Sequence, residues 1–295
     1  MTPYDLVIGD RAYSSWSLRG WLLFDAFGLP VRSHLARLYS DELPDLLARG
    51  YFPGRTAPTM RTPEGTVVPE TIAIAEELAS RHPAAGIWPA DPHARATARV
   101  LAAEMHAGFA ALRSHCPMNL RVSYDGCDPP PEVGADLARL ETLWGWAQQA
   151  TGSAGPWLCG AYCAADAFFA PVASRIAGYN LPAGPVAMAY VAAHLAHPSF
   201  RRWRAMALVD GADQPFYRRD HPRRAWPGPV PLPADAVGGS VAENAACPYS
   251  GKPVTHVLEL GGRRFGFCNA FCRDKTVADP EAWPAFMALY RAAPV

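Results

Sequence analysis

The sequence predicts an α/β domain at the N-terminus, an all-helical domain after it and a small cysteine-bearing module at the end. Residues 1–85 carry alternating strand and helix patterns, and from Asp91 onward the apolar residues recur at helical spacing. Three Cys and two short strand patterns share the last segment, residues 243–295. With 295 residues, the chain is long enough to bury a sizeable core in more than one domain.

The composition indicates a globular protein and disfavours several classes of partner. Half of the residues are hydrophobic, 18% are charged, and 27 Lys and Arg balance 27 Asp and Glu. A net charge of zero disfavours broad binding to nucleic acid or to an anionic membrane, because both need a positive surface. No apolar run reaches the roughly 18 residues of a membrane span, and the start of the chain shows no signal-peptide pattern. Seven unevenly spaced Cys are untypical of a secreted disulfide framework, so we expect a cytoplasmic protein.

The first domain, residues 1–85, alternates strands and helices. Cap-type residues precede an apolar helical stripe near residue 15, and Gly28-Leu29-Pro30 ends that helix. A Pro/Gly turn at 62–65 separates two short extended segments and predicts a hairpin. In order, we expect a strand at 4–8, a helix at about 15–26, a strand at 31–38, hairpin strands at 57–60 and 66–68, and a helix at 71–81.

The second domain, residues 91–208, carries helical patterns only. Asp91 is placed to cap the first helix and Pro92 suits its first turn. The run from Asp166 to Ile176 is apolar on nearly all sides and predicts a buried central helix. The apolar faces of two other helices are Leu101, Met105, Phe109 and Leu112, and Leu137, Leu140, Trp144 and Ala147, and further helices are expected at 185–194 and 200–208.

A proline-rich segment, residues 209–242, separates the helical domain from the last module. Six Pro fall between Pro215 and Pro233, interleaved with four Arg from Arg218 to Arg224. This composition predicts a partly extended linker or a strap on the surface. A solvated surface explains the short Arg cluster better than contact with nucleic acid does.

Three short motifs in residues 14–71 carry a resemblance to a known family. They are the run SSWSLR from Ser14 to Arg19, the tripeptide Ala57-Pro58-Thr59 and the pair Glu70-Thr71. Together they resemble the glutathione transferase superfamily, in particular zeta-like and related bacterial enzymes with a serine at the start of helix 1. The resemblance runs from about residue 4 to residue 208. It implies a thioredoxin-like first domain with a cis-proline at Pro58, an all-helical second domain and glutathione as co-substrate.

Glutathione chemistry gives these residue types a physical purpose. Glutathione attacks electrophiles as a thiolate, and a free thiol has a pKa of about 8.5. A hydroxyl at a helix N-terminus stabilises a thiolate by hydrogen bonding and through the helix dipole. The resemblance implies that Ser14 or Ser15 has this catalytic role. It also implies that the glutathione-binding residues are Ala57, Pro58, Thr59, Glu70 and Thr71, with Glu70 meeting the ammonium group and Thr71 the carboxylate of the γ-glutamyl end.

Several residues near these motifs are predicted to have structural rather than catalytic roles. We expect Ser17 to cap the helix and Arg19 to form a salt bridge. The segment at the start of helix 1 contains no Cys, which disfavours disulfide-reductase chemistry. In the helical domain, Cys163 and Asp166 match the family's buried capping box, with Cys in place of the usual Ser or Thr. Cys159 and Cys163 are expected to be inert buried thiols.

The resemblance places the pocket for the electrophile between the two domains. Five residues are candidates for its wall, although packing in the core explains each of them equally well. They are Tyr13, Trp16, Met105, Phe109 and Leu112. His106 and His115 also lie on the segments that approach this cleft.

The last module carries a cysteine pattern of its own. Cys247-Pro248-Tyr249-Ser250-Gly251 precedes two strand patterns at 256–260 and 263–267, and Cys268 and Cys272 follow. The segment resembles YHS and related TRASH-like metal-binding domains, which implies a small treble-clef-like fold. Thiolates suit Zn²⁺, and a metal would stabilise a unit with so small a core. The candidate ligands are Cys247, Cys268 and Cys272. The fourth remains open between His256, Asp274, Asp279, Ser250 and water, and a metal-free module packed on the body is the alternative.

Two functional hypotheses follow. The first is a glutathione transferase that conjugates glutathione with a small apolar electrophile, or isomerises a substrate through glutathione. The resemblance also implies a homodimer. The second is a non-catalytic scaffold with the same fold whose cysteine module binds or senses a metal. The sequence does not name the electrophile, because fold does not fix substrate.

Overall fold

A computed structural model describes residues 2–239 and 241–292. The first domain has a four-stranded sheet in the order β2-β1-β3-β4, in which β1 pairs parallel with β2 and the other pairs are antiparallel. Its strands and helices are β1 (Tyr4–Ile8), α1 (Ser15–Asp25), β2 (Val31–Leu35), α2 (Glu42–Ala48), β3 (Thr59–Arg61), β4 (Val67–Pro69) and α3 (Thr71–Arg81). This is the predicted thioredoxin-like arrangement, with α2 as an element that the periodicity did not indicate.

The start of α1 differs from the sequence expectation in one respect. Ser14, rather than Ser17, is the N-cap: it is extended and its Oγ accepts a hydrogen bond from the Ser17 N–H at 3.3 Å. Ser17 lies inside the first turn, and its Oγ accepts a hydrogen bond from the Gly9 N–H at 2.9 Å. Ser17 therefore ties α1 to the end of β1 instead of capping the helix.

The second domain is helical, as predicted. Its helices are α4 (Pro92–Ala107), α5 (Ala110–His115), α6 (Pro131–Thr151), α7 (Ala164–Gly178), α8 (Pro185–Ala196) and α9 (Pro198–Val209). Asp91 caps α4 through the Ala94 N–H, and every residue of α7 is buried. The predicted apolar face running from Leu101 through Leu112 is interrupted, because α4 ends at Gly108 and Phe109 has φ 60°.

Asp166 holds the start of the central helix α7. Its carboxylate accepts hydrogen bonds from the Cys163 N–H at 2.9 Å, the Leu158 N–H at 3.3 Å and the Tyr190 hydroxyl at 2.8 Å. The Cys163 side chain accepts in turn from the backbone N–H of Asp166, which completes the predicted capping box. Burial raises the pKa of Asp166 to about 6, although its hydrogen bonds oppose that change.

The raised pKa of Asp166 gives a testable pH dependence. A carboxyl group whose pKa is higher in the folded state contributes stability that is present at low pH and is lost as pH rises toward the folded pKa. The difference in unfolding free energy between wild type and Asp166→Asn should therefore fall by about 2 kcal/mol between about pH 4.5 and pH 7. Urea unfolding of both proteins measures this difference, and a constant difference would contradict it.

The segment after α9 is a packed strap rather than a free linker. Arg121 holds its start through hydrogen bonds from its guanidinium to the Asp210 and Gly211 carbonyls and to the Asp213 carboxylate. Further on, β6 (Arg223–Arg224) pairs with β5 (Ser123–Tyr124). We use the name strap for residues 210–224.

The last module has a three-stranded antiparallel sheet and two helices. Its elements are β7 (Ala234–Val237), β8 (His256–Leu260), β9 (Arg263–Phe267), α10 (Ala270–Ala278) and α11 (Pro284–Arg291). The strands β8 and β9 have the predicted bounds. The strand β7 comes from the segment predicted as linker, because its pairing partner, β8, is distant in sequence.

The module packs directly on the helical domain. Arg201 of α9 makes a bidentate ion pair with Asp279, with N–O distances of 2.7 and 2.8 Å. The neighbouring Arg202 donates to the Ala282 carbonyl. Buried residues of the module, including Phe267 and Phe286, belong to the same continuous hydrophobic core as the first two domains. Among the described residues, none of the helices has the length and apolar character needed to cross a membrane.

Candidate functional site

A cleft of about 700 Å³ lies between the first two domains and the strap. The first domain contributes the start of α1 and the loops before β3 and α3. The helical domain contributes α5 and α7, and the strap closes one side. The polar and aromatic side chains that line the cleft include Ser14, Ser15, Glu70, Arg113, Arg175 and Tyr217.

Ser14 and Ser15 differ in how their hydroxyl groups are used. Ser14 accepts from the Ser17 N–H and donates its proton to Ser17 Oγ at 2.7 Å, so both functions of this hydroxyl serve the helix cap. Ser15 Oγ accepts a hydrogen bond from Arg175 Nη2 at 2.9 Å, and no described residue accepts its proton. Ser15 therefore has a proton to donate to a ligand in the cleft.

The first turn of α1 adds backbone donors beside Ser15. Among the described residues, none accepts a hydrogen bond from the N–H of Ser15 or Trp16. Unpaired N–H groups at a helix N-terminus carry partial positive charge and favour an anion. The guanidinium of Arg175, which is 4% exposed, adds a full positive charge next to Ser15. This end of the cleft is therefore suited to a thiolate.

The loop before β3 approaches α1 closely. The Ala57–Pro58 peptide bond is cis. A Cβ at Gly20 of α1 would lie 2.7 Å from Pro58 Cγ, so the close approach requires glycine at this position. Ala57 lines the cleft, whereas Thr59 is fully buried and donates from its hydroxyl to the Thr56 carbonyl at 2.7 Å.

The start of α3 is conformationally unusual. Glu70 has φ 70°, in the left-handed region that a non-glycine residue seldom adopts, and such outliers cluster at functional sites. Its carboxylate lies 3.6 Å from His106 Nε2, and its side chain is 58% exposed. Thr71 is buried behind it, with Oγ1 3.4 Å from His106 Nδ1. Glu70 is therefore held at the rim, where an ammonium group can reach it.

Three cysteine sulfurs lie together in the last module. The Sγ atoms of Cys247, Cys268 and Cys272 all lie within 4.8 Å of one another, with 3.9 Å between Cys268 and Cys272. Three thiolates at Zn–S distances of about 2.3 Å around a tetrahedral ion have S–S separations of about 3.8 Å. The spacing of the donors therefore fits a thiophilic ion.

Hydrogen bonds around the sulfurs favour the thiolate form at one position. Burial alone would raise the pKa of Cys247, but hydrogen bonds from the backbone N–H groups of Cys268, Tyr249 and Ser250 lower it to about 7. Burial also lowers the pKa of Lys275 to about 8. The Lys275 ammonium group lies 4.1 Å from the centre of the Tyr249 ring and 3.8 Å from that of Trp283.

Of the residues predicted as a fourth metal ligand, Ser250 is the one whose oxygen lies beside the sulfurs. Asp279 is engaged by Arg201 and Asp274 by Arg273. The ring of His256 bonds to Thr255 Oγ1, and His256 does not join the three Cys within ligand distance. Ser250 Oγ is 3.1 Å from Cys268 Sγ, so a hydroxyl lies next to the cluster.

Comparison with known proteins identifies the architecture. Residues 13–81 match a family model described as glutathione S-transferase, N-terminal domain. A glutathione transferase homologue from Burkholderia gl BGR1, solved with bound glutathione, is 23% identical with a TM-score of 0.52, and the match covers 71% of this chain and all of that one. The first two domains have the glutathione transferase fold.

Two fungal structures agree with this fold. Glutathione transferase Omega 3C from Trametes versicolor is 16% identical with a TM-score of 0.52, over 73% of this chain and 92% of that one. Omega 2S from the same organism, in complex with 2,4-dihydroxybenzophenone, is 22% identical with a TM-score of 0.52, over 68% and 94% of the two chains. A comparison with curated proteins finds no match.

The cleft of this glutathione transferase fold contains only part of the predicted set. Tyr13, Ser14, Ser15, Trp16, Ala57 and Glu70 line it, whereas Pro58, Thr59 and Thr71 do not. Met105, Phe109 and Leu112 do not line this cleft; all three are buried in the core, which is the alternative that the sequence left open for them. The break at Gly108 starts a new helix, in which Ala110, Arg113 and Ser114 face the cleft and Leu112 faces away.

The expected salt bridge of Arg19 is also absent from the described residues. Arg19 is fully buried, and its three guanidinium nitrogens have no hydrogen-bond partner. Its guanidinium instead packs on the rings of Trp16 and Phe168, at 4.8 and 5.6 Å from their centres.

Among the cleft residues that the sequence did not predict, four bear on its chemistry. Arg113 and Arg175 lie on helices that are predicted from their apolar residues, and Phe216 and Tyr217 lie in the predicted linker. Tyr217 stacks on Tyr13 with 4.6 Å between ring centres, and its hydroxyl lies 3.0 Å from that of Tyr39. The aromatic pair at 216–217 within a proline-rich segment was the available signal.

Proposed function

We propose that the protein is a serine-type glutathione transferase. The observation that carries this proposal is the position of Ser15: it lies at the start of α1, in one cleft with Glu70 and beside the cis Ala57–Pro58 loop. The match of residues 13–81 to the glutathione S-transferase model and the glutathione-bound Burkholderia homologue support it.

Ser15 is the proposed donor to the thiolate. Its hydroxyl donates to the sulfur while Arg175 donates to its oxygen, and the N–H groups of Ser15 and Trp16 add partial positive charge. All of these interactions stabilise the charged sulfur over the neutral thiol. Ser14 has a structural role in this proposal, as the cap that sets the position of the first turn.

The γ-glutamyl end of glutathione is proposed to bind at the start of α3. Glu70 meets its ammonium group, and the N-terminus of α3 at Thr71 attracts its carboxylate. The backbone of Ala57 borders the cleft and is proposed to pair with the extended peptide. Pro58 lies against Gly20 of α1, and the Thr59 hydroxyl donates to the Thr56 carbonyl of the same loop.

The second substrate is a small electrophile that the thiolate conjugates or isomerises. Tyr13, Trp16, Phe216 and Tyr217 give its part of the cleft an aromatic wall. The protein is further proposed to be a cytoplasmic homodimer. Support for the dimer comes from the family resemblance and from the exposed apolar side chains of Val100 and Trp146, on α4 and α6.

Calorimetric titration with reduced glutathione tests this proposal. The wild type should bind at about millimolar affinity or tighter, and Glu70→Gln should weaken binding about tenfold, because a charge-assisted hydrogen bond to the ammonium group is lost. Glu64→Gln is the matched control: Glu64 is an exposed glutamate in the β3–β4 turn that pairs with Arg81 outside the cleft.

Two outcomes of this titration would contradict the proposal or part of it. A folded wild-type protein that shows no binding of glutathione is not a glutathione transferase. Equal losses in Glu70→Gln and Glu64→Gln would instead remove Glu70 from the glutathione site.

We infer in addition that Cys247, Cys268 and Cys272 bind Zn²⁺. The mutual distances of the three sulfurs and the resemblance to YHS and TRASH-like domains support this site. The ion would cross-link the segment before β8 to the start of α10 and so stabilise a small module. The scaffold hypothesis has no observation that favours it over the transferase.

A further inference from the structure

Two arginine side chains line the cleft, a third is buried against Trp16, and none of the three has a carboxylate partner among the described residues. Arg19, Arg113 and Arg175 form no ion pair with any described residue. Arg113 donates to the Gly108 carbonyl, and Arg175 donates to the Cys116 and Pro171 carbonyls and to Ser15 Oγ. The guanidinium of arginine stays charged in proteins, so three positive charges lie here.

The three charges are close enough to act on one another. Two of them contact the same ring: the centre of the Trp16 ring lies 4.3 Å from the Arg113 guanidinium carbon and 4.8 Å from that of Arg19. Burial and the neighbouring arginines lower the pKa of Arg19 and lower that of Arg175 to about 10. The charged forms of these arginines are therefore destabilised by burial and by one another, and no anion among the described residues offsets this cost.

The protein supplies little negative charge at this place. Of the described residues that line the cleft, only Glu70 is acidic, and it faces His106 at the rim. A buried cation without a partner is costly, and a bound anion removes that cost. The thiolate group of a glutathione bound beside Ser15 would bring one negative charge close to Arg175, which contacts Ser15.

We propose that the second substrate carries a carboxylate or a similar anionic group, which Arg113 and Arg175 bind, with Arg19 strengthening the field from beneath Trp16. The inference rests on the proposed function of the cleft. It changes the expected electrophile from a purely apolar molecule to one with an apolar body and an acidic group. Phe216 and Tyr217 provide the aromatic contact for that body.

A matched pair of unreactive probes tests the charge requirement. The probes are 3-nitrobenzoate and the neutral 3-nitrobenzamide, titrated calorimetrically into the full chain saturated with S-methylglutathione. We expect wild type to bind the acid about tenfold more tightly than the amide, as a charge-assisted hydrogen bond predicts. Because S-methylglutathione is bound first, its carboxylates already occupy their binding sites when the probes are added.

The variants separate Arg113 from general electrostatics. Arg113→Gln should reduce the preference for the acid to about twofold or less, and Arg113→Lys should retain part of it. Arg139→Gln is the control, because Arg139 is an exposed arginine that pairs with Glu104 outside the cleft. Thermal unfolding of each variant confirms that it is folded.

Two results overturn the inference. Equal affinity of the loaded wild type for acid and amide shows that glutathione satisfies the arginines or that they bind no anion. The same loss in Arg139→Gln as in Arg113→Gln shows that the preference is not local. Failure of S-methylglutathione to bind instead contradicts the proposed function, and the acid–amide comparison on the unloaded protein then still tests the arginines.

Discussion

Ser15→Ala is expected to lower kcat/KM for glutathione conjugation about a hundredfold. Removal of one preorganised donor to a developing or bound anion costs about 10²–10³ in rate. The loss should lie mainly in kcat, because Ser15 contacts the sulfur rather than the ends of the peptide that determine affinity. Ser14→Ala should affect the chemistry less and should destabilise the protein by about 1 kcal/mol, the usual cost of a lost N-cap.

The pH dependence gives a second measurement on the same variants. If Ser15, Arg175 and the start of α1 stabilise the thiolate, the pKa of bound glutathione in wild type lies below the 8.5 of a free thiol. In Ser15→Ala it should rise toward that value, so the deficit in activity should be larger at about pH 6.5 than at about pH 9. Ultraviolet absorption of the bound thiolate follows the titration directly.

The neighbouring serine serves as the matched control. Ser14 is one residue away, has nearly the same exposure and lines the same cleft. A shifted thiolate pKa in Ser14→Ala, with Ser15→Ala unchanged, would assign the donor role to Ser14. Equal and small effects in both variants would remove the hydroxyl groups from the mechanism.

Loss of the proposed zinc site is the second large effect expected. The reduced wild-type protein should retain about one equivalent of zinc, and Cys268→Ser and Cys272→Ser should retain almost none. Because binding free energy at a structural zinc site is folding free energy, a chelator should lower the Tm of the wild type. The Ser variants should have a similarly low Tm without chelator.

Cobalt substitution provides a readout of the ligand set. Co²⁺ bound by thiolates gives sulfur-to-metal charge-transfer bands in the ultraviolet, which should disappear in Cys247→Ser. Cys127→Ser is the control, since Cys127 is a partly exposed thiol outside the cluster. A wild type that retains no metal and shows no cobalt bands would indicate that the module folds on its aromatic core alone.

The parts of the fold that were predicted well depend on local signals. The strands β1, β8 and β9 and the helix α3 have the predicted bounds because their apolar patterns and the turns beside them lie within a few residues. The strand β7 was missed because four residues between a Pro and two Gly gain their structure only by pairing with β8. The strap was ambiguous for the same reason, since its contacts come from Arg121, Tyr13 and β5.

In the candidate site, too, local motifs predicted some residues, and others are brought in only by tertiary packing. Short motifs brought Ser14, Ser15 and Glu70 to notice, and these residues do line the cleft. Met105, Phe109 and Leu112 lie in the core rather than in the lining of the cleft, because α4 ends before Gly108 and interrupts the helical stripe of the sequence. Arg113 and Arg175 do not belong to a local sequence motif. Only the three-dimensional structure shows that their guanidinium groups lie at the cleft without an acidic partner among the described residues.

The packed strap bears on how this chain can be divided. A fragment ending at residue 208 contains all the sequence that resembles a transferase, yet it lacks Phe216 and Tyr217 and leaves the ring of Tyr13 without its stacking partner. The shortest piece that keeps both the lining of the cleft and the pairing of the strap with β5 extends through Arg224. A gene fusion or deletion at residues 209–224 would therefore alter the binding pocket, even though the region has the composition of a tether.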